Sequence, residues 1–182
     1  MAKSPKIKTP IMTPDQERFM AFEGLVQWTQ AVVTQSIGVP AAQKHQMSVL
    51  AATSTPVQRR QAMHAFHSEC HFFAVAANKL LEFRDWVLTF GLCASVDFAE
   101  INRFSARDIR DLRNMREHVV DYFTGGGNAR ARWNVDTPEY RTDASSVVDT
   151  TIGGRLDWIV FGAAAERLLR QLLAEPIPYP PR

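Results

Sequence analysis

An all-α fold, a helical bundle of about five helices with a small irregular or hairpin insertion before the last one, is predicted by three features of this sequence. Two Thr-Pro pairs, Thr13-Pro14 and Thr55-Pro56, each set a capping hydroxyl before a proline at the first helical position. Apolar residues then recur at helical spacing over long stretches. Sequence that is β-branched and bounded by Gly is confined to about residues 125–155. With 182 residues, 46% of them hydrophobic, the chain can build one core of ordinary size, and no internal repeat divides it.

The elements follow in order. Residues 1–12 are basic and Pro-containing and read as a flexible tail, ahead of a single domain over 13–175. The first helix starts at Pro14 and runs to about Ile37, with Phe19, Phe22, Val26, Ala31 and Val33 as apolar positions. "GVP" is expected to end it before a shorter helix over 41–52. A long helix then spans Pro56 to about Phe90, its stripe formed by Met63, Phe66, Cys70, Phe73, Ala77, Leu80, Leu81, Val87 and Leu88, with Gly91 as the stop. A short helix over Asp97–Phe104 leads to Ser105, the N-cap of a helix through Phe123. After the insertion, Trp158, Phe161, Ala165, Leu168, Leu169 and Leu172 form the buried stripe of a helix from Asp157 to about Ala174. The end, residues 176–182, is a Pro-rich tail.

A net charge of +2 excludes a histone-like polycation, but 16 of the 21 basic residues are Arg, which suits bidentate contact to phosphate. Two cysteines, both in apolar helical sequence, make no disulfide framework, and no signal peptide or membrane span is visible. A cytoplasmic protein without membrane association is expected.

The stretch "RDIRDLRNMREHVVDYF" carries the sharpest chemical signal. At about 100° per residue, Leu112, Val119 and Phe123 fall together as a core stripe, flanked by Ile109 and Met115. Arg113 and His118 lie on either side of the opposite, polar face, with Arg110 and Asn114 between them. Asn114 and His118 are four residues apart, so the amide can orient the imidazole. A fixed cation beside a residue that titrates near neutrality is what metal-free cleavage of an RNA phosphodiester needs: the imidazole moves a proton, and the guanidinium neutralises phosphoryl charge. With one His on this helix and an outward-facing site, the second proton-handling group is expected from the same helix of a second subunit.

"RNMREH" resembles the R-x4-6-H motif of the HEPN superfamily, all-α domains in which a polar residue often follows the Arg. The same spacing occurs at Arg59 to His64 and Arg60 to His67, but Asn114 and the capped amphipathic helix distinguish Arg113 to His118. The resemblance covers roughly Pro56 to Phe123. It implies a metal-independent endoribonuclease, of toxin or phage-defence type, that dimerises to form a composite cleft. It further implies Arg113 and His118 as the catalytic pair with Asn114 in support, no cofactor, RNA as substrate and a cognate antitoxin as a partner. The Gly-rich insertion after the motif departs from the family's general pattern.

Other readings compete. Arg113 and Arg116 can form surface ion pairs with Asp111, Glu117 or Asp121, leaving His118 a bystander; a silent helical dimer that binds a protein or nucleotide then follows. His64, His67 and His71 share one face of the long helix and offer a weak metal alternative without a companion cluster. That face continues through Asn78 and Glu82, so Glu69, His71 and Asn78 are candidates for a second wall of the Arg113/His118 cleft. "NARARW" sets Arg130 and Arg132 beside Trp133, a candidate RNA-contacting edge or an aromatic covering apolar surface. The glycines at 125–127 lack a P-loop Lys and read as a helix stop.

Overall fold

The computed structural model describes residues 12–128, 130–136 and 141–178. The readings for residues 1–11 and 179–182 fall outside the described residues.

Both long helices begin where their caps dictate. Thr13 and Thr55 each accept from the backbone N–H three residues on, while Gln16 and Gln58 reach back to the cap N–H, completing two capping boxes. From these starts, α1 covers Pro14–Ala51 and α2 covers Pro56–Thr89, joined by a four-residue link that makes them an antiparallel pair. Gly91, at φ +65°, ends α2: Leu92 N–H donates to the Val87 carbonyl and Gly91 N–H to that of Leu88.

α1 does not stop at "GVP". Pro40 sits inside it, and the two expected helices are one. The missing N–H and the ring's clash with the preceding turn cost about 3 kcal/mol. Burial of Val39 at 0% exposure, with Ala42 packed against the core, works against that cost. The α1 stripe also differs in register: Ala21, Phe22, Leu25, Val32 and Val39 are buried, while Phe19, Val26, Ala31 and Val33 are half-buried. On α2, Phe66, Cys70, Phe73, Ala77, Leu80, Leu81 and Val87 are buried as expected, whereas Met63 and Leu88 face solvent.

A single turn, α3 (Ala99–Asn102), precedes α4 (Ala106–Glu117) and α5 (Val119–Phe123). The insertion opens with a 3-10 turn at Arg130–Arg132. It holds an antiparallel pair, β1 (Asn134–Asp136) with β2 (Arg141–Asp143), and a short meander of β3 (Val147–Val148), β4 (Thr151–Ile152) and β5 (Leu156–Asp157). Asp157 then caps α6 (Trp158–Leu172) by accepting from the Ile159 and Val160 N–H groups. Every stripe residue expected on α6 is buried, and α6 packs on α1. The architecture is an all-α bundle of six helices among the described residues, with a small β insertion before the last. Among the described residues no helix is long and apolar enough to cross a membrane.

α4 lies on α2 and under the insertion, its inner face made by Ile109, Leu112 and Met115, all at most 1% exposed. Each such side chain contributes about 1.5–3 kcal/mol by leaving water. The insertion reaches α4 at Gly153, where an added Cβ would stand 2.4 Å from Leu112 Cδ1.

Candidate functional site

Ser105 accepts from Asp108 N–H and starts α4 as expected, but the helix does not run on to Phe123. At His118 the backbone turns to φ −110°, ψ 33°; its N–H still bonds to the Asn114 carbonyl, and its own carbonyl restarts a short turn by accepting from Asp121 and Tyr122. An unbroken helix would stack Val119 and Phe123 beneath Leu112. The break turns that segment outward instead, leaving Val120 68% and Phe123 70% exposed and Val119 half-buried.

Arg113 is held on its own helix. Nη1 donates to Asn114 Oδ1 at 2.8 Å, and Nε stands 2.9 Å from Glu117 Oε1 as an ion pair off the line of a hydrogen bond. Asn114 is thus engaged with the guanidinium rather than the imidazole. His118 is largely exposed, its Nδ1 3.7 Å from Asp121 Oδ2. Asn114 and His118 line a cavity of about 360 Å³ with Asp111, Asp121, Tyr122 and Gly127. Arg113 faces α2, where its charge acts on Glu82 and His71. Within one chain the two motif residues open onto different neighbourhoods. Arg110, between them on the wheel, is exposed.

The α2 candidates divide. His71 lies within the field of Arg113, and buried Asn78 donates to Glu82 Oε1 at 2.7 Å, so these two belong to the wall that Arg113 faces. Burial works to raise the Glu82 carboxyl, but hydrogen bonds from Lys79 and Asn78, with the charges of Lys79 and Arg113, hold it below its ordinary value. Glu69 instead lies over α1: a Cβ on Gly38 would stand 2.7 Å from its Oε2. Glu69 is not part of this wall, because the pitch of α2 turns it towards its long antiparallel neighbour.

A second groove, which the residue pattern did not suggest, lies between α2, the α4–α5 break and the insertion. It encloses about 280 Å³ and is lined by His64, His67, Ser68, His71, Arg116 and Ser145 among others. Arg116 is not a surface ion-pairing residue. Its Nη1 donates to the carbonyls of Ala144 and Ser145 at 3.1 Å each and its Nη2 to that of His67 at 3.2 Å, tying the insertion to α2. The signal available in the sequence was its position one turn after buried Leu112, at the rim of the core stripe. Among the described residues, no group of three or more His, Cys, Asp or Glu side chains is arranged to hold a metal ion. The metal alternative on His64, His67 and His71 is therefore set aside.

Of the insertion's candidates, Arg132 is matched by Asp108 and Asp111 of α4, and its carbonyl accepts from Arg155. Trp133 stacks on Tyr122 with centroids 5.0 Å apart and meets Phe123 edge-on at 5.5 Å, so it covers the apolar side of the break. Arg130 is exposed and donates to the Gly125 carbonyl, with no carboxylate partner among the described residues. Both cysteines are free and buried; burial pushes the Cys70 thiol up to about 12 and that of Cys93 up to about 11, which leaves neither a ready nucleophile.

Comparison with protein-family models, with curated proteins and with solved structures finds no match to this chain.

Proposed function

We propose that this chain is a HEPN-like, metal-independent endoribonuclease of toxin or phage-defence type, acting as a homodimer on RNA and restrained by a cognate antitoxin. The observation that carries the reading is the pairing of a clamped Arg113 with an exposed His118 on one short helix, the first fixed by Asn114 and Glu117 and the second presented at a backbone break. A rigid cation and an accessible imidazole are the two groups that 2′-hydroxyl attack on a phosphodiester requires. The 2′-oxygen forms the new P–O bond as His118 takes its proton, the 5′-oxygen leaves with a proton from a second imidazole, and Arg113 neutralises the charge gathering on the phosphoryl oxygens. The products are a 2′,3′-cyclic phosphate and a 5′-hydroxyl.

Arg113 and His118 face different ways within one chain, and this geometry favours a composite site in which each half is completed by a second copy. Val120 and Phe123, exposed beside His118, supply apolar area for such a dimer. The same apolar area equally suits a silent helical dimer, which is the second reading.

RNA cleavage in EDTA tests the proposal. Wild-type protein is expected to cut unstructured RNA with the ends named above. Arg113→Ala and His118→Ala, verified as folded and dimeric, are expected to lose about 10²-fold or more. Mixing the two variants should not restore the activity, since a mixed dimer keeps only one His118 and the step above uses two imidazoles. No cleavage by wild type across a broad RNA panel would leave the silent dimer as the function of this face.

A further inference from the structure

Arg116 is an unusual cation. Among the described residues its three hydrogen bonds all go to neutral carbonyls and no carboxylate lies within ion-pair distance of it; Asp143 acts on it only from further away. Among the described residues its Nε has no hydrogen-bond partner. A guanidinium withdrawn from water without a counter-charge carries a desolvation cost that carbonyl dipoles only partly offset. That uncompensated charge opens onto the groove already described, where the other polar groups are three imidazoles and the Ser68 hydroxyl. Ser145, also on the lining, has its hydroxyl committed to Asp143 Oδ1 at 2.6 Å. Among the described residues no carboxylate lines this groove.

We infer that the groove between α2, the α4–α5 break and the insertion is an oxyanion site, with Arg116 as its fixed charge and His64, His67, His71 and Ser68 as donors to a phosphate group. Each imidazole offers an N–H from the α2 side while the guanidinium faces them from α4. Donors on opposed walls of a space this small suit a tetrahedral phosphate better than a planar carboxylate. Burial lowers the affinity of His67 and His71 for protons, and the charge of Arg116 lowers it further, with His64 adding to this at His67 and Arg113 at His71. Glu117 alone works the other way, at His71. A bound dianion would reverse that balance and turn both rings into charged donors. The phosphate can be a free or terminal monoester or a diester in a nucleic-acid backbone; the inference does not depend on Arg113 and His118 being catalytic.

Histidine NMR on the whole chain decides it. Titration of the imidazole C–H signals is run in chloride and then, at equal ionic strength, with inorganic phosphate, with 5′-AMP and with the diester thymidylyl-thymidine. Phosphate is expected to raise the pKa of His67 and His71 by roughly 0.5–1 and to leave His45, on α1 outside the groove, unmoved. The anion that acts at the lowest concentration identifies the source, monoester or diester. Arg116→Gln should abolish the response. Because that variant can also loosen the insertion, Arg116→Lys is measured beside it and should retain a weaker one. Identical titrations of wild type in chloride and in all three phosphates, or a response that His45 shares, would overturn the proposal.

Discussion

The packing of α1 on α2 makes two glycines of the same helix respond oppositely to the same substitution. A Cβ at Gly24 would stand 1.9 Å from Phe83 Cε1 and 2.2 Å from Cδ1, so the ring must move off α1. Phe83 is packed against the core and against Trp86, with centroids 5.5 Å apart, so moving its ring disturbs both contacts. Overpacking costs about 1–3 kcal/mol, and an approach this close to a packed ring belongs in the upper part of that range, about 2–3 kcal/mol. Alanine in place of glycine within a helix returns about 1 kcal/mol, so Gly24→Ala should be less stable by about 1–2 kcal/mol. At Gly38 the obstacle is the Glu69 carboxylate, 2.7 Å away at the end of a flexible side chain. It can swing aside, and Gly38→Ala should gain about 0.4–1 kcal/mol. For a chain of this length each kcal/mol moves Tm by about 2–4 °C, which gives a fall of about 2–8 °C for Gly24→Ala and a rise of about 1–4 °C for Gly38→Ala. Thermal and urea unfolding followed by far-ultraviolet circular dichroism reads both. Adding Phe83→Leu should recover part of the Gly24→Ala loss through a coupling of about 0.5–3 kcal/mol. A Gly24→Ala protein as stable as wild type, or losses at 24 and 83 that simply add, would refute the close approach of the two helices.

The insertion supplies two further tests. Asp143 Oδ1 accepts from the N–H and hydroxyl of both Ser145 and Ser146 at 2.6–3.0 Å, so Asp143→Ala should cost about 1–3 kcal/mol. Burial pushes that carboxyl up, but the four donors outweigh it and hold it below its ordinary value; its contribution is therefore complete above the unfolded carboxyl's pKa of about 4 and is lost as pH falls through the lower folded value. Urea midpoints at pH 7 and pH 3 should differ less in the variant than in wild type, and equal differences would reject the role. Arg132→Gln removes the bridge to Asp108 and Asp111. Because these groups are partly exposed, the cost should be only about 1 kcal/mol, but amide exchange in β1 and β2 should accelerate, and unchanged exchange would mean that the strands are anchored elsewhere.

What could be read from the residues is what neighbours along the chain settle between themselves. Thr13, Thr55 and Ser105 announce their helices because a cap needs only a hydroxyl and an N–H two or three positions away. Gly91 stops α2 because a left-handed residue is favoured at that step. The α6 stripe is legible because one face of a helix repeats. Arg113, Asn114 and His118 were found by the same local logic, which located them on one helix without revealing where each points.

Three outcomes needed the third dimension. Pro40 fails to end α1 because burial of Val39 and its neighbours against the bundle outweighs a local penalty. His118 breaks its helix although Val119 and Phe123 continue the apolar pattern, and Trp133, brought over by the insertion, packs on Tyr122 and Phe123 beyond the break. Arg116 becomes the charged centre of a groove through carbonyls 28, 29 and 49 residues away along the chain. Helices, caps and the identity of the polar groups are legible along the chain, since those depend on contacts within a turn or two. Which polar groups share a cavity was decided by the tertiary structure alone, because it depends on how α2, α4 and the insertion meet, and that meeting is set by packing across the whole core.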